Sequence, residues 1–185
     1  MKEFETYLRV TDVLFPFSGL GQIDSLILQR AAERGTKVHA ICDAIIQGIG
    51  YPEPEESILG YVESYLCWNQ DKNWFPKPDR FFCDTLGITG ECDAVYRENG
   101  NMVLVDFKTS SQESKTWKLQ GSAYAYLARK NGYTIDRIEF VKLEKGGKPA
   151  KVFVYEEDFE MFLKCLEIYK YFFKGKVKHG SDDTI

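Results

Sequence analysis

The sequence predicts an α/β (α+β) fold, a mixed central β-sheet flanked by helices. Three observations lead there: amphipathic helical patterns near both ends, a strand-rich middle organised around an Asn-Gly turn, and a helix followed by a second hairpin after it. The order is helices, strands, helix, strands, helix. With 185 residues, 44% of them hydrophobic and 15% aromatic, the chain can bury a real core, and its length suits a single domain over 1–185.

From about Asp24 to Gln47 the apolar positions Leu26, Ile27, Val38, Ile41, Ile45 and Ile46 recur at helical spacing, with Gly35 a candidate break. The run Gly48 to Pro54 ends that helix. Glu55 to Gln70 follows as a second amphipathic helix, and Asn73 to Asp79, with two prolines, reads as a loop. Strands are predicted over Arg80 to Leu86, Ile88 to Arg97 and Met102 to Thr109. The last two flank Glu98-Asn99-Gly100-Asn101, and Asn-Gly between alternating runs is a strong hairpin signal. Ser114 to Lys130 reads as a helix closed by Asn131-Gly132 at its C-cap. Arg137 to Leu143 and Lys151 to Tyr155 form another hairpin around Gly146-Gly147. A helix over Glu157 to Phe173 comes last, its apolar face turned to the sheet rather than to an oligomer partner.

No stretch approaches the roughly 20 consecutive apolar residues of a membrane span, and MKEFETYLRV lacks a signal-peptide pattern. The expectation is a soluble, cytoplasmic protein with no membrane contact. Cys42, Cys67, Cys83, Cys92 and Cys165 are odd in number and contain no CxxC pair, so buried free thiols are expected rather than a zinc knuckle or disulfides. The net charge of −4 does not advertise nucleic-acid binding, although what matters for a polyanion is where the charge sits. Lysines gather at Lys142, Lys145, Lys148 and Lys151, and at Lys164, Lys170, Lys174, Lys176 and Lys178; solvated faces account for both groups equally well. Trp68, Trp74, Phe75, Phe81 and Phe82 read as core before they read as a base-stacking platform.

A two-residue Asn99-Gly100 turn sets the register of its hairpin. Asp93 then stands opposite Asp106 and Glu91 opposite Lys108, all four on one face. Two carboxylates facing each other at about 5 Å repel. A divalent cation removes that cost, since Mg²⁺ favours a few carboxylates completed by water and phosphate oxygens. Lys108, two residues beyond Asp106, is placed to meet an attacking water or a scissile phosphate. Taken alone, the hairpin favours a plainer account, an exposed polar face with an incidental Glu91–Lys108 ion pair.

Three further segments change that balance. Gly87-Ile88-Thr89-Gly90-Glu91-Cys92-Asp93, Val105-Asp106-Phe107-Lys108-Thr109 and Gln120-Gly121-Ser122-Ala123-Tyr124 look like the GxxGxxD, (D/E)xK and QxxxY motifs of RecB-like PD-(D/E)XK nucleases, in the right order. Upstream, Arg34-Gly35-Thr36-Lys37-Val38-His39 resembles the RGxxxH segment of the same group. Each motif alone is weak, whereas four in order are specific. The resemblance implies a restriction-endonuclease-like core. It implies that His39, Asp93, Asp106 and the backbone carbonyl of Phe107 ligate Mg²⁺ or Mn²⁺, and that Lys108 is the catalytic lysine. Gln120 and Tyr124 would contact DNA or steady the site, and as i and i+4 they share one helix face. On residue type alone, His39 is an ordinary helix histidine and Tyr124 a core residue; imidazole among oxygens tilts the metal toward Mn²⁺.

What the resemblance implies is a metal-dependent deoxyribonuclease, an exonuclease of phage or mobile-element recombination and repair, with DNA as partner. A homo-oligomer or a recombination partner protein fits the same picture. Some relatives hold an iron–sulfur cluster with one upstream and three C-terminal cysteines; only Cys165 lies C-terminal here, so no cluster is expected. No GxxxxGK[ST] helicase motif occurs, and His179 lies in a polar tail outside the predicted site. The alternative from another class is a non-catalytic nucleic-acid-binding subunit that keeps the fold; retention of Asp93, Asp106 and Lys108 together argues against it.

Overall fold

Asp24 starts the longest helix by accepting from the backbone N–H groups of Leu26 and Ile27 at 2.9 and 3.3 Å, which satisfies donors that a helix start leaves open. In the computed structural model, which describes residues 7–76 and 80–173, this helix, α2, runs Ser25–Gln47 and closes on Gly48 in the left-handed conformation, φ 66°. It follows β1 (Leu8–Arg9), α1 (Val10–Leu14) and two 3₁₀ turns, Phe15–Phe17 and Leu20–Gln22. Then come α3 (Glu56–Trp68), β2 (Asn73–Trp74), β3 (Phe81–Cys83), β4 (Ile88–Gly90), β5 (Ala94–Glu98) and β6 (Asn101–Lys108). The chain continues through α4 (Thr116–Lys130), β7 (Arg137–Lys142), β8 (Lys151–Tyr155) and α5 (Phe159–Phe173). Lys174, Lys176, Lys178 and His179 lie outside the described residues.

The five-stranded sheet has order β2-β5-β6-β7-β8, with β6 and β7 parallel and the other pairs antiparallel. Asn99 and Gly100 have φ of 51° and 86°, the positive values of a type I′ hairpin turn, and the expected register Glu98↔Asn101 through Ala94↔Val105 is realised. Successive side chains of β5 and β6 enter two different cores. Val95 and Leu104 join a cluster with α1, α4 and α5, while Ala94, Val103, Val105 and Phe107 join one with α2 and α3. The sheet is therefore sandwiched, a mixed α/β arrangement as the sequence predicts.

Four expectations change. The helix does not break at Gly35: α2 runs through it without interruption, and a Cβ there would make only an ordinary contact with Thr109 Oγ1 at 3.7 Å. The predicted strand over 88–97 splits, β4 pairing with β1 and β3 in a small second sheet and β5 joining the main one. The segment read as a loop contributes β2, which pairs with β5 through Asn73↔Arg97 and Trp74↔Tyr96. The last helix packs on α4 and α1 rather than directly on the sheet, burying Phe162, Cys165 and Leu166.

Candidate active site

The split between β4 and β5 builds the site. Upstream of the Ala94↔Val105 pair, Asp93 still donates its N–H to the Val105 carbonyl at 3.1 Å. Its side chain then takes the next position of the ladder: Asp93 Oδ2 accepts the Phe107 N–H at 2.6 Å. Leu143 donates to the Lys108 carbonyl from the β7 side. Strand alternation therefore turns the N–H and carbonyl of Phe107 the other way, past the end of β5 beside Asp93.

Both helical layers reach this point. From α2, His39 Nδ1 lies 3.0 Å from Asp93 Oδ1, and its ring meets Phe107 edge-on. From α4, Gln120 donates through Nε2 to Asp106 Oδ1 at 3.3 Å and to Tyr124 OH at 3.1 Å, while its Oε1 accepts from Lys108 Nζ at 3.2 Å. The ammonium of Lys108 also faces Asp106 Oδ2 at 2.5 Å, and it lies over the Phe140 ring, 5.2 Å from the centroid. All seven residues singled out in the sequence (His39, Asp93, Asp106, Phe107, Lys108, Gln120 and Tyr124) are thus within one connected cluster. Glu91 is the exception to the predicted face: the chain leaves the ladder at Asp93, and Glu91 Oε2 accepts from Arg80 at 2.8 Å instead of pairing with Lys108.

The two carboxylates are unequal. Burial pushes Asp106 up, Lys108 pulls it down and Asp93 raises it again, and the outcome is about 6. Burial also pushes Asp93 up, but His39, the Phe107 N–H and Lys108 outweigh it and hold the group below its ordinary range. Burial lowers His39, and Asp93 more than offsets that, so the imidazole is raised. Tyr124 is raised by burial and by the charge of Asp106.

Among the described residues no three His, Cys, Asp or Glu side chains stand together as a ready metal cage; the carboxylate oxygens are engaged with Lys108, His39 and Phe107. The donor chemistry nevertheless fits a hard divalent cation. Asp106 Oδ2 is buried without a directed hydrogen bond, with Lys108 as its contacting counter-charge, and a second carboxylate, an imidazole and a strand carbonyl lie beside it.

Residues beyond the predicted set also surround the cluster. Arg9, Arg80 and Thr11 line a cleft of about 240 Å³ with Asp93 and Tyr124. Asp43 lines a hollow of about 100 Å³ with His39, Asp93 and Phe107. The i, i+4 spacing from His39 signals Asp43 in the sequence, whereas Arg9 and Arg80 arrive through pairing of β1 and β3 with β4 and carry no local signal. Of the lysines at 142–151, Lys142 is buried against Glu144 with Lys151 beside it, while Lys145 lines a separate hollow with Arg30, Arg34 and Lys37.

Comparison with known families places this geometry. The model of the PD-(D/E)XK nuclease superfamily matches residues 72–167, slightly more than half of the chain, and the chain belongs to that superfamily. The matched segment spans β2 through most of α5 and holds Asp93, Asp106, Lys108, Gln120 and Tyr124; His39 lies outside it. Solved structures with a similar course include the crystal structure of SSO0001, 16% identical, covering 97% of this chain and 80% of that one at a TM-score of 0.42. Another is an alkaline exonuclease (LHK-Exo) from Laribacter hongkongensis, 11% identical, covering 92% and 93% at a TM-score of 0.45. A comparison with curated protein sequences found no significant match. No helix among the described residues is long and apolar enough to cross a membrane.

Proposed function

We propose that this nuclease is a metal-dependent deoxyribonuclease that hydrolyses DNA phosphodiester bonds, with residues 1–185 acting as one domain. The observation that carries the reading is the contact of Lys108 with both Asp106 and Gln120, beside Asp93 and His39. A structural ion pair has no need of a second, half-buried carboxylate next to the first. A phosphodiester hydrolase does, because it needs held positive charge where the transition state becomes more negative.

Mg²⁺ or Mn²⁺ would be held by Asp93, Asp106, His39 and the Phe107 carbonyl. A bound divalent ion supplies Lewis-acid activation of the phosphoryl group and lowers the pKa of attacking water. The residues themselves do the rest. Asp93 stays ionised and fixes His39 on one side and the Phe107 amide on the other. Gln120 ties Lys108 to Asp106 and is anchored in turn by Tyr124, so the ammonium is oriented before substrate arrives. Lys108, about one-fifth exposed at its side chain, is the group in this pair that solvent or a phosphate can reach.

The finer reading, an exonuclease of phage or mobile-element recombination and repair, is supported by the four ordered motifs. Cleavage of end-labelled linear and closed-circular DNA with Mg²⁺, Mn²⁺ or EDTA tests it. Metal-dependent loss of linear DNA with circles spared is expected, and Asp106→Ala and Lys108→Ala should each lower the rate by at least about a thousandfold. Cut circles would make it an endonuclease. No cleavage with either metal, with wild type and variants binding DNA equally, would leave a binding subunit.

A further inference from the structure

We propose that the groove between the two N-terminal 3₁₀ turns and the loop after β6 holds an unpaired nucleic-acid strand, its bases against Phe15 and Phe17 and its phosphates leading to Lys108. This rests on the nuclease reading and narrows its substrate class. The groove encloses about 760 Å³ and has Lys108, Gln120 and Trp117 among its lining residues, so it opens directly on the candidate site.

Its two walls differ in chemistry. One is apolar: Phe15, Phe17 and Leu20 are 48%, 40% and 40% exposed. They are not left over from anchoring the segment, since Val10, Val13 and Leu14 of α1 already do that, buried in the core with α4 and α5. The facing wall is polar, with Ser111 and the ammonium of Lys115; Ser110 and Thr116 line it too, the Ser110 hydroxyl donating to the Gln112 carbonyl and that of Thr116 paired with Ser114. Glu113 also lines it, its carboxylate accepting the Tyr155 hydroxyl and set against the two ammoniums of Lys108 and Lys115.

An apolar protein segment would leave the hydroxyl wall unmatched. A nucleotide has two sides that correspond to these walls, a flat base that stacks on aromatic rings and a phosphate that takes hydroxyl and ammonium donors. A duplex keeps its base faces stacked inside; an unpaired strand offers them. Continuity with Lys108 and Gln120 gives the strand a destination. Phe15 and Phe17 are therefore assigned as strand-positioning residues, not catalytic ones.

The test compares wild type with Phe15→Leu/Phe17→Leu, which keeps apolar bulk but removes the ring faces, and with Phe15→Trp/Phe17→Trp, which restores them. Each is titrated in EDTA with labelled oligothymidylate and with a blunt duplex by fluorescence anisotropy, then assayed for cleavage of both with Mg²⁺ or Mn²⁺. The Leu pair should lose about tenfold or more in single-strand affinity, with a matching rise in KM, unchanged duplex binding and a wild-type melting temperature. The Trp pair should regain the affinity. Unchanged single-strand affinity in the Leu pair, or equal loss on both DNAs, overturns the groove while leaving the nuclease standing. Self-association that disappears in the Leu pair, with DNA binding intact, assigns the wall to a second copy and also overturns it. Wild type that cleaves neither DNA brings down the nuclease reading alone, if the Leu pair still loses single-strand affinity, and both readings if it does not.

Discussion

Three neighbours compete for the carboxylate of Asp106. Gln120 holds one oxygen, Lys108 opposes the other, and Asp93 repels from the strand alongside. Burying that charge costs folding energy that the Lys108 ammonium offsets only in part, since the carboxyl stays raised beside it. Asp106→Asn keeps the shape and the oxygen that Gln120 contacts while deleting the charge. In EDTA it should raise stability by about 1 kcal/mol, or about 2–4 °C in melting temperature, and Mg²⁺, expected to add stability to wild type, should add none to the variant. A melt with and without metal checks both; a variant less stable than wild type in EDTA would contradict the account. His39 tests the metal differently. Loss even of groups that merely orient metal ligands costs about 10–100-fold in affinity, so His39→Ala should need at least tenfold more Mn²⁺ for half-maximal cleavage. If cleavage titrates unchanged, His39 only packs against Asp93.

Helix α4 brings Gln120 to Asp106 because it can approach the sheet closely. A Cβ on Gly121 would fall 2.5 Å from Ile138 Cγ2 and 2.9 Å from Phe140 Cε2, and one on Gly90 would fall 2.6 Å from Tyr124 Cε1. The glycines of the QxxxY and GxxGxxD segments therefore set a distance between layers. Gly121→Ala should cost about 1–3 kcal/mol through overpacking and lower kcat more than that loss of folded protein explains, since it displaces Gln120. Chemical denaturation with activity measured per folded molecule separates the two effects. A variant with wild-type stability would mean that Ile138 and Phe140 yield freely. The other element-scale device is the interruption between β4 and β5. It lets an aspartate side chain, instead of a main-chain carbonyl, receive the Phe107 N–H.

At the scale of the whole molecule, the sheet separates two cores and the site lies where they meet at the end of β6. Helix α5 belongs to the far side of one core: Phe162 is fully buried there, and Phe159 stacks on Tyr126 of α4. Phe162→Ala should cost about 3–5 kcal/mol yet leave kcat of the folded protein unchanged at low temperature. A lost kcat would show that α5 supports the site through α4. Charge is likewise local. Against a net −4, Arg30, Arg34, Lys37 and Lys145 surround a hollow of about 330 Å³, and Arg34 donates to the carbonyl of Thr109, the residue after Lys108. Glu33 lines the same hollow and Lys37 is paired with Glu55, so an acidic chain keeps a modest local excess of positive charge close to the site, which composition does not reveal.

Much of this protein is fixed locally and so was readable from the chain alone. Asn99-Gly100 sets the register of β5 and β6, and Asp24 and Gly48 bound α2, because turns and caps are short-range properties; His39, Asp93, Asp106, Lys108, Gln120 and Tyr124 are picked out by the resemblance of four short motifs to a known family, not by local physics. Other features came only with the tertiary structure. Glu91 turns to Arg80 because the chain leaves the ladder at Asp93, a choice made by β4 pairing with β1 and β3. Gly35 stays helical inside the 23-residue α2, because one glycine costs about 1 kcal/mol, which the rest of a long packed helix outweighs. The last helix lies on α4 and α1 because its apolar stripe specifies burial without naming the surface that buries it. Phe15 and Phe17 pass as ordinary apolar residues in the sequence; only the fold places them across a groove from Ser110 and Ser111, since such a juxtaposition depends on contacts that no local pattern encodes.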